Sequence, residues 1–250
     1  MVSAFATQNG VVMGQLKTDR KSNKITAIPK LIHLLDIKGC LVSIDATGCQ
    51  TKITERIIQQ KGNYLLTVKG NQETLYRAVK QALSTQVSAV SHAENVILKK
   101  GHGRPEAREY HVLPVCELTQ AFPEWKGLKS IGVAVGYRRN NKGKESLVSL
   151  YYISSAELNT ADFAAAVRGH RGIENRVHWV LDVSMKEDAC QIHRGESAEI
   201  LACMRHLSLN LLRAETTKKA SIRRKRRIAS MDISYLDRVL ATGFHALGKR

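Results

Sequence analysis

No run of apolar residues in this chain approaches the roughly 18 needed to cross a bilayer, and Met1 opens no secretory leader. No CxxC pair occurs, and the five cysteines (Cys40, Cys49, Cys116, Cys190, Cys203) are odd in number and scattered. That pattern argues against a disulfide framework or a cysteine zinc site and predicts reduced thiols in a cytoplasmic protein. No internal repeat is visible. Acidic residues are also scarce: 22 Asp and Glu stand against 39 Lys and Arg, a formal charge of +17. An excess of that size predicts a polyanionic partner, because each phosphate neutralised releases counterions. Anionic membrane is the competing partner, but no basic amphipathic helix with a Trp or Phe face is present. The expectation is therefore nucleic acid and no membrane.

What is present is enough for a proper core. The 250 residues are 43% hydrophobic and 24% charged, as in globular proteins, and allow one domain with an insertion or two small domains. Two strands, Val2 to Thr7 and Val11 to Thr18, flank the hairpin turn Gln8-Asn9-Gly10. Asn23 can cap a helix through Ile25, Ile28, Leu31, Ile32 and Leu35, with Gly39 beyond its end. A short apolar strand, Leu41 to Ile44, then leads directly into Asp45. A helix over Thr51 to Lys61 precedes a second strand, Tyr64 to Val68, ending in Lys69-Gly-Asn71-Gln72. A third helix runs from Asn71 to about Leu83. Alternating strands and helices predict a parallel sheet, with Asp45 and Lys69 at the carboxyl ends where such sheets gather ligands. Four strands follow, at Asn95 to Lys100, Ala107 to Val115, Ser130 to Tyr137 and Ser146 to Ile153. They predict a β-rich insertion over 84–155 whose first hairpin is basic (Lys99, Lys100, Arg104, Arg108).

The stretch from Ala164 to Lys186 reads as a helix, with Phe163, Val167, Val177, Leu181 and Met185 at helical spacing. At about 100° per residue, Glu174 falls within that apolar stripe. A carboxylate there is costly unless a charge faces it. It either pairs with Arg171 or His178 on its own helix, or points into a polar cleft and holds a metal ion. A second carboxylate at a strand end, Asp45, would complete a minimal site for Mg²⁺ or Mn²⁺, which favour oxygen ligands. Zinc is the rival, since His170, Glu174 and His178 recur every four residues, although zinc hydrolases set the Glu beside the first His. A last amphipathic helix spans Glu196 to Leu212. Residues 213–250 then read as a solvated basic tail, with Lys218, Lys219 and the run Arg223, Arg224, Lys225, Arg226 and Arg227 as phosphate anchors.

Several of these runs are familiar. SIDATGCQTKI (Ser43 to Ile53), YLLTVKGNQ (Tyr64 to Gln72), HGRPEAR (His102 to Arg108), WKGLKSI (Trp125 to Ile131), YYISS (Tyr151 to Ser155) and RGHRGIENRVHWVLDVSMKED (Arg168 to Asp188) resemble the H-repeat-associated branch of insertion-sequence transposases. That branch belongs to the DDE, insertion-sequence-four-like class, and the resemblance covers nearly the whole chain in order. It implies an α/β, ribonuclease-H-like catalytic core interrupted by a β-rich insertion before its last catalytic helix. The core would comprise residues 1–83 and 156–212, on either side of the insertion at 84–155. The resemblance also implies metal-dependent cutting and joining of double-stranded DNA at element ends and target, in a bacterial cytoplasm at the nucleoid, with a homodimer in the DNA complex. Asp45 matches the family's second catalytic Asp and Glu174 its catalytic Glu, both as metal ligands with Mg²⁺ (or Mn²⁺). Arg168 and His170 fall where related transposases contact DNA phosphates. Lys69, Asn71, Arg171 and His178 are the further expected DNA contacts around these two sites.

The departures matter too. The family's first catalytic Asp lies on a strand upstream of the hairpin that here begins at Val2, and neither Asp19 nor Asp36 can replace it. Lys24 stands where relatives commonly have Glu and Arg171 where they have Trp, while Gly169 and Gly172 weaken the Glu174 helix. The expectation is an N-terminally truncated copy with its first strand missing, inactive in cleavage. The alternatives are an intact transposase, a non-catalytic DNA-binding remnant and a zinc hydrolase.

Overall fold

The Asn-Gly turn forms as expected. Strand β1 (Val2–Ala6) pairs antiparallel with β2 (Val11–Leu16), and Gly10 takes the left-handed φ of +69° that the turn requires. The computed structural model describes residues 1–18, 24–87, 96–101, 104–115, 117–139, 143–192 and 194–248. Asn23, the expected helix cap, lies outside them, as do the side chains of Lys99, Lys100 and Arg104 in the expected basic hairpin. Among the described residues no helix is long and apolar enough to cross a membrane. The chain divides into two units, one of Met1–Asp19 with Arg171–Arg250, the other of Arg20–His170.

The second unit is a mixed α/β structure. Helix α1 (Lys24–His33) leads to β3 (Leu41–Ile44), then α2 (Thr51–Gln59), β4 (Asn63–Val68) and α3 (Glu73–Val87). Strands β5 (Val96–Gly101) and β6 (Arg104–Pro114), helix α4 (Glu117–Ala121), and strands β7 (Ser130–Arg139) and β8 (Glu145–Ser154) follow. Helix α5 (Thr160–Ile173) closes the unit and crosses its boundary. Strands β3 and β4 are parallel, as their helical crossover demands. The strands expected as an insertion do not form a sheet of their own. Antiparallel pairing of β8 with β4 continues one six-stranded sheet in the order β3-β4-β8-β7-β6-β5. Tyr110, Tyr152, Phe163 and Val167 form its core with Leu65 and Ala134. Helix α5 lies close on this sheet because Gly132 has no side chain: a Cβ there would stand 2.5 Å from the Phe163 ring.

The first unit packs the β1–β2 hairpin with the C-terminal helices α6 (Trp179–Met185), α7 (Ser197–Ala214), α8 (Ile222–Ala229) and α9 (Ile233–Gly248). Its core joins Val12, Val177, Leu181, Leu209, Leu212, Tyr235 and Val239. A buried side chain helps to hold the hairpin. Asn210 accepts from the Val12 N–H and donates to the Val12 carbonyl, both at 2.9 Å, so the amide pairs with β2 as a neighbouring strand would.

The described part of the expected tail, residues 213–248, is not solvated chain. Ser221 caps α8 through its hydroxyl, and α9 places Tyr235 and Val239 in the core. Gly243 lets α9 close on α7, since a Cβ at that position would meet Leu211 Cδ2 at 2.4 Å. Lys225, expected as a phosphate anchor, is only 6% exposed. Its ammonium lies 3.4 Å from Glu215 Oε2 and donates to the carbonyls of Leu212 and Glu215. The Glu215 carboxylate also accepts from the Thr217 hydroxyl, from the backbone N–H of Thr217 and Lys218, and from the Tyr235 hydroxyl at 2.7 Å. This network ties the end of α7 to both following helices, which is why the basic run folds instead of trailing.

Candidate active site

Asp45 directly follows β3, at the carboxyl end of the strand. It is exposed, and its Oδ1 accepts from the Gly48 N–H at 3.3 Å, capping the 3₁₀ turn Ala46–Gly48. The loop after the neighbouring strand β4 fixes this turn. Asn71 Nδ2 donates to the Ala46 carbonyl at 2.8 Å, and Gln72 Nε2 donates to the Cys49 carbonyl at 2.9 Å. Asn71, expected as a DNA contact, thus spends amide hydrogen-bonding capacity on positioning the Asp45 loop. Lys69 is exposed at the same end of the sheet. Burial pushes the Cys49 thiol up to about 12, so it stays protonated and offers no thiolate.

Two residues before Asp45, Ser43 Oγ lies 3.1 Å from Nδ1 of His170, near the end of α5. This bond ties the strand that presents Asp45 to the helix that runs on towards Glu174. Two residues earlier, the Arg168 guanidinium lies over the Tyr110 ring at 5.8 Å from its centre, and its Nη1 has no hydrogen-bond partner among the described residues. Arg168, expected as a phosphate contact, is partly exposed and packs against the sheet core.

Glu174 belongs to the other unit, where it opens a π turn, Glu174–His178, between α5 and α6. The Trp179 N–H bonds back to the Glu174 carbonyl, the i→i+5 pattern of that winding. The turn follows Gly172, where helix propensity is lowest. It adds a residue to the helical repeat, so a count made on an uninterrupted α-helix goes out of phase there. Val177 is 1% exposed, but Glu174, expected on the same stripe, faces solvent. The same change of winding breaks the four-residue spacing of Glu174 and His178 on which the zinc reading relied.

The π turn is braced against the hairpin of its own unit. Arg176 donates to the Thr7 carbonyl at 3.1 Å, and Arg213 donates to the carbonyls of Gly10 (3.0 Å) and Arg176. His178 is exposed, and the imidazole of buried His206 is held below its ordinary value, chiefly by burial and secondarily by the nearby His178. Arg171 is half-buried. In α8, Arg223, Arg224, Arg226 and Arg227 are all exposed. None of the braces, nor the Ser43–His170 pair, was anticipated from the sequence. Their partners lie 127 or more residues apart, apart from Arg213 and Arg176 at 37, and no local pattern marks them.

The structure therefore places Asp45, Lys69, Asn71, Arg168 and His170 in one unit, and Arg171, Glu174, His178 and the α8 arginines in the other. Among the described residues no three His, Cys, Asp or Glu side chains gather in a metal-binding group. Asp45 and Glu174 are nonetheless exposed carboxylates, the hard oxygen donors that suit Mg²⁺ or Mn²⁺.

Residues 1–211 match the family described as "Transposase DDE domain". The "H repeat-associated putative transposase YhhI" of Escherichia coli K12 is 45% identical over 246 residues, covering 96% of this chain and 65% of its own length. The "Putative transposase YncI" of Escherichia coli O157:H7 is 44% identical over 246 residues, covering 97% of this chain and 63% of its own length. The chain thus spans slightly less than two thirds of these relatives.

Proposed function

The chain belongs to the transposase DDE domain family, and on that premise we propose that it acts in DNA transposition. On this reading it binds insertion-sequence ends and target DNA in a bacterial cytoplasm, and two copies act in the DNA complex. Residues 1–83 and 156–212 form the two parts of a ribonuclease-H-like core, and 84–155 the insertion between them. Asp45 and Glu174 are the catalytic carboxylates and would hold Mg²⁺ or Mn²⁺. Such ions, when bound, polarise a phosphodiester and lower the pKa of an attacking water.

The chain's own residues prepare that chemistry. The Gly48 N–H orients the Asp45 carboxylate, and Asn71 and Gln72 hold its loop still. Ser43 orients His170. Lys69, Arg171 and His178 offer positive or hydrogen-bonding groups to phosphates around the carboxylates, and the exposed α8 arginines add non-specific affinity. The observation that supports the reading is the Ser43–His170 bond, which holds the strand before Asp45 to α5 within one unit.

Only two of the three carboxylates used by the DDE class have counterparts among these 250 residues. The second reading is a non-catalytic DNA-binding form competing for element ends. Cleavage of an end-bearing oligonucleotide with Mg²⁺, compared across wild type, Asp45→Asn and Glu174→Gln, tests the assignment. Slow wild-type cleavage lost in both variants supports it. Equal cleavage by all three removes these residues from the mechanism, and DNA binding without cleavage leaves the binding form.

A further inference from the structure

Strand β8 is longer than the pairing it makes with β4. Leu65 to Val68 of β4 face Ser154 to Tyr151, and there that pairing ends. The remaining part of β8, Glu145 to Leu150, pairs on one side with Arg139 to Ala134 of β7. On its other side it has no strand partner among the described residues. At about 3.4 Å per residue this free edge is roughly 20 Å long. It also stands clear of the helices on both faces of the sheet. Glu145 to Ser149 are all exposed, although neighbours in a strand point to opposite faces: Leu147 is 69% exposed on one and Val148 53% on the other. The register fixes the direction of the overhang. Because β8 is antiparallel to β4 and β4 parallel to β3, β8 overruns the carboxyl ends of both, where Asp45 and Lys69 sit. The sheet of this unit therefore has a step, with the loops after β3 and β4 as its floor and the free edge of β8 as its wall. Asp45 lies about two strand spacings, or roughly 10 Å, from the foot of the wall.

We propose that a DNA duplex lies in this step, against the free edge of β8. Charge selects the occupant. The stretch that ends the wall, residues 138–145, carries Arg138, Arg139, Lys142 and Lys144 against Glu145 alone. Glu106 stands opposite Arg138, so the turn between β5 and β6 lies at the same end of the sheet, and its flanks bring Lys99, Lys100 and Arg104. A bare strand edge ordinarily invites another strand. A second copy, however, brings its own charge of +17 and the same basic turns, and the two repel. The edge itself suits a phosphate chain. Alternate backbone N–H groups of an edge strand point outwards, and Ser146 and Ser149 are small enough for a sugar-phosphate backbone to approach. Backbone N–H groups and serine hydroxyls are common phosphate donors. The inference rests on the proposed role of Asp45 and adds the path of the substrate. The duplex runs along the wall for roughly 20 Å, about six base pairs, from the reacting end.

Fluorescence anisotropy of the full chain with a labelled duplex of arbitrary sequence, about 30 base pairs long, reads the contact without metal or cleavage. Val148→Glu/Ser149→Glu puts two negative charges on the wall, one on each face. Leu34→Glu/Gln59→Glu makes the same change of charge near the amino ends of β3 and β4, where both side chains are exposed. The two places are separated by at least the length of β4, about 20 Å, twice the screening length at 0.1 M salt. The wall pair should lose duplex affinity about tenfold or more at that salt, and the control pair should stay close to wild type. Thermal midpoints check folding. Ser149→Glu alone should give a smaller loss in the same direction and serves should the double variant fail to fold. Wild-type affinity in the folded wall variants, or equal losses in both pairs, would overturn the inference and leave the free edge to another strand. A wild type that binds no duplex would overturn the DNA-binding reading with it. Binding that depends on the wall in a protein that never cleaves would support the inference and count against the catalytic reading alone.

Discussion

Ser43 Oγ and His170 Nδ1 lie 3.1 Å apart, joining the strand that ends at Asp45 to α5 across 127 residues of sequence. The bond is partly buried. Ser43→Ala should cost about 0.5–1.5 kcal/mol, the net worth of one such bond, read by denaturant unfolding. Ser43→Thr, which keeps the hydroxyl, should recover most of it. If neither variant shifts the midpoint, the pair does not help hold α5 on β3.

Much of the frame around this pair was legible. The strand Leu41–Ile44 lies where the apolar run predicts, and the helices after it begin and end within a few residues of expectation. The face of Glu174 was not. Helical counting assumes one winding throughout, and the π turn at Glu174–His178 is a departure that only tertiary packing reveals. The C-terminal helices were obscured differently. Five consecutive basic residues suggest solvated chain, but Glu215, ten residues upstream, supplies the buried partner that folds Lys225 inward. Tyr235 and Val239, at helical spacing in the supposed tail, were the overlooked signal.

The Asn210 side-chain amide pairs with the backbone of Val12. Asn210→Ala removes both bonds and leaves a buried N–H and C=O unsatisfied, a loss of about 2–4 kcal/mol. Chemical unfolding measures it. A cost below about 1 kcal/mol would show that the hairpin does not depend on this amide.

The Glu215 network gives a pH signature. Burial alone would raise this carboxyl, but hydrogen bonds from Thr217, Tyr235 and Lys225 outweigh it and hold it down to about 2, below its ordinary value of 4.5. A depressed carboxylate contributes stability that is full above its unfolded value and is lost as pH falls through the folded one. The stability of wild type should therefore drop between pH 4.5 and about 2, and Glu215→Gln should flatten that part of the curve while lowering stability at neutral pH. Parallel curves for the two proteins would show that this carboxylate is not the acid-sensitive group.

The basic helix makes a separable prediction. Replacing Arg223, Arg224, Arg226 and Arg227 with Gln should lower the slope of log affinity against log salt by about 0.9 for each phosphate no longer neutralised. Lys225→Met should leave that slope unchanged, because its ammonium is turned inward to Glu215. It should instead destabilise by roughly 3–5 kcal/mol, the cost of stranding a buried charge. An unchanged slope in the four-arginine variant would remove α8 from the DNA interface.

The most direct test of the central claim is divalent-ion binding, followed by Mn²⁺ electron paramagnetic resonance on the full chain bound to end-bearing DNA. If Asp45 and Glu174 share an ion, Asp45→Asn and Glu174→Gln should each weaken Mn²⁺ binding by a similar factor, and the double variant should be little worse than either single one. Wild-type Mn²⁺ affinity in both single variants, or independent and additive losses, would show that the two carboxylates do not form one site.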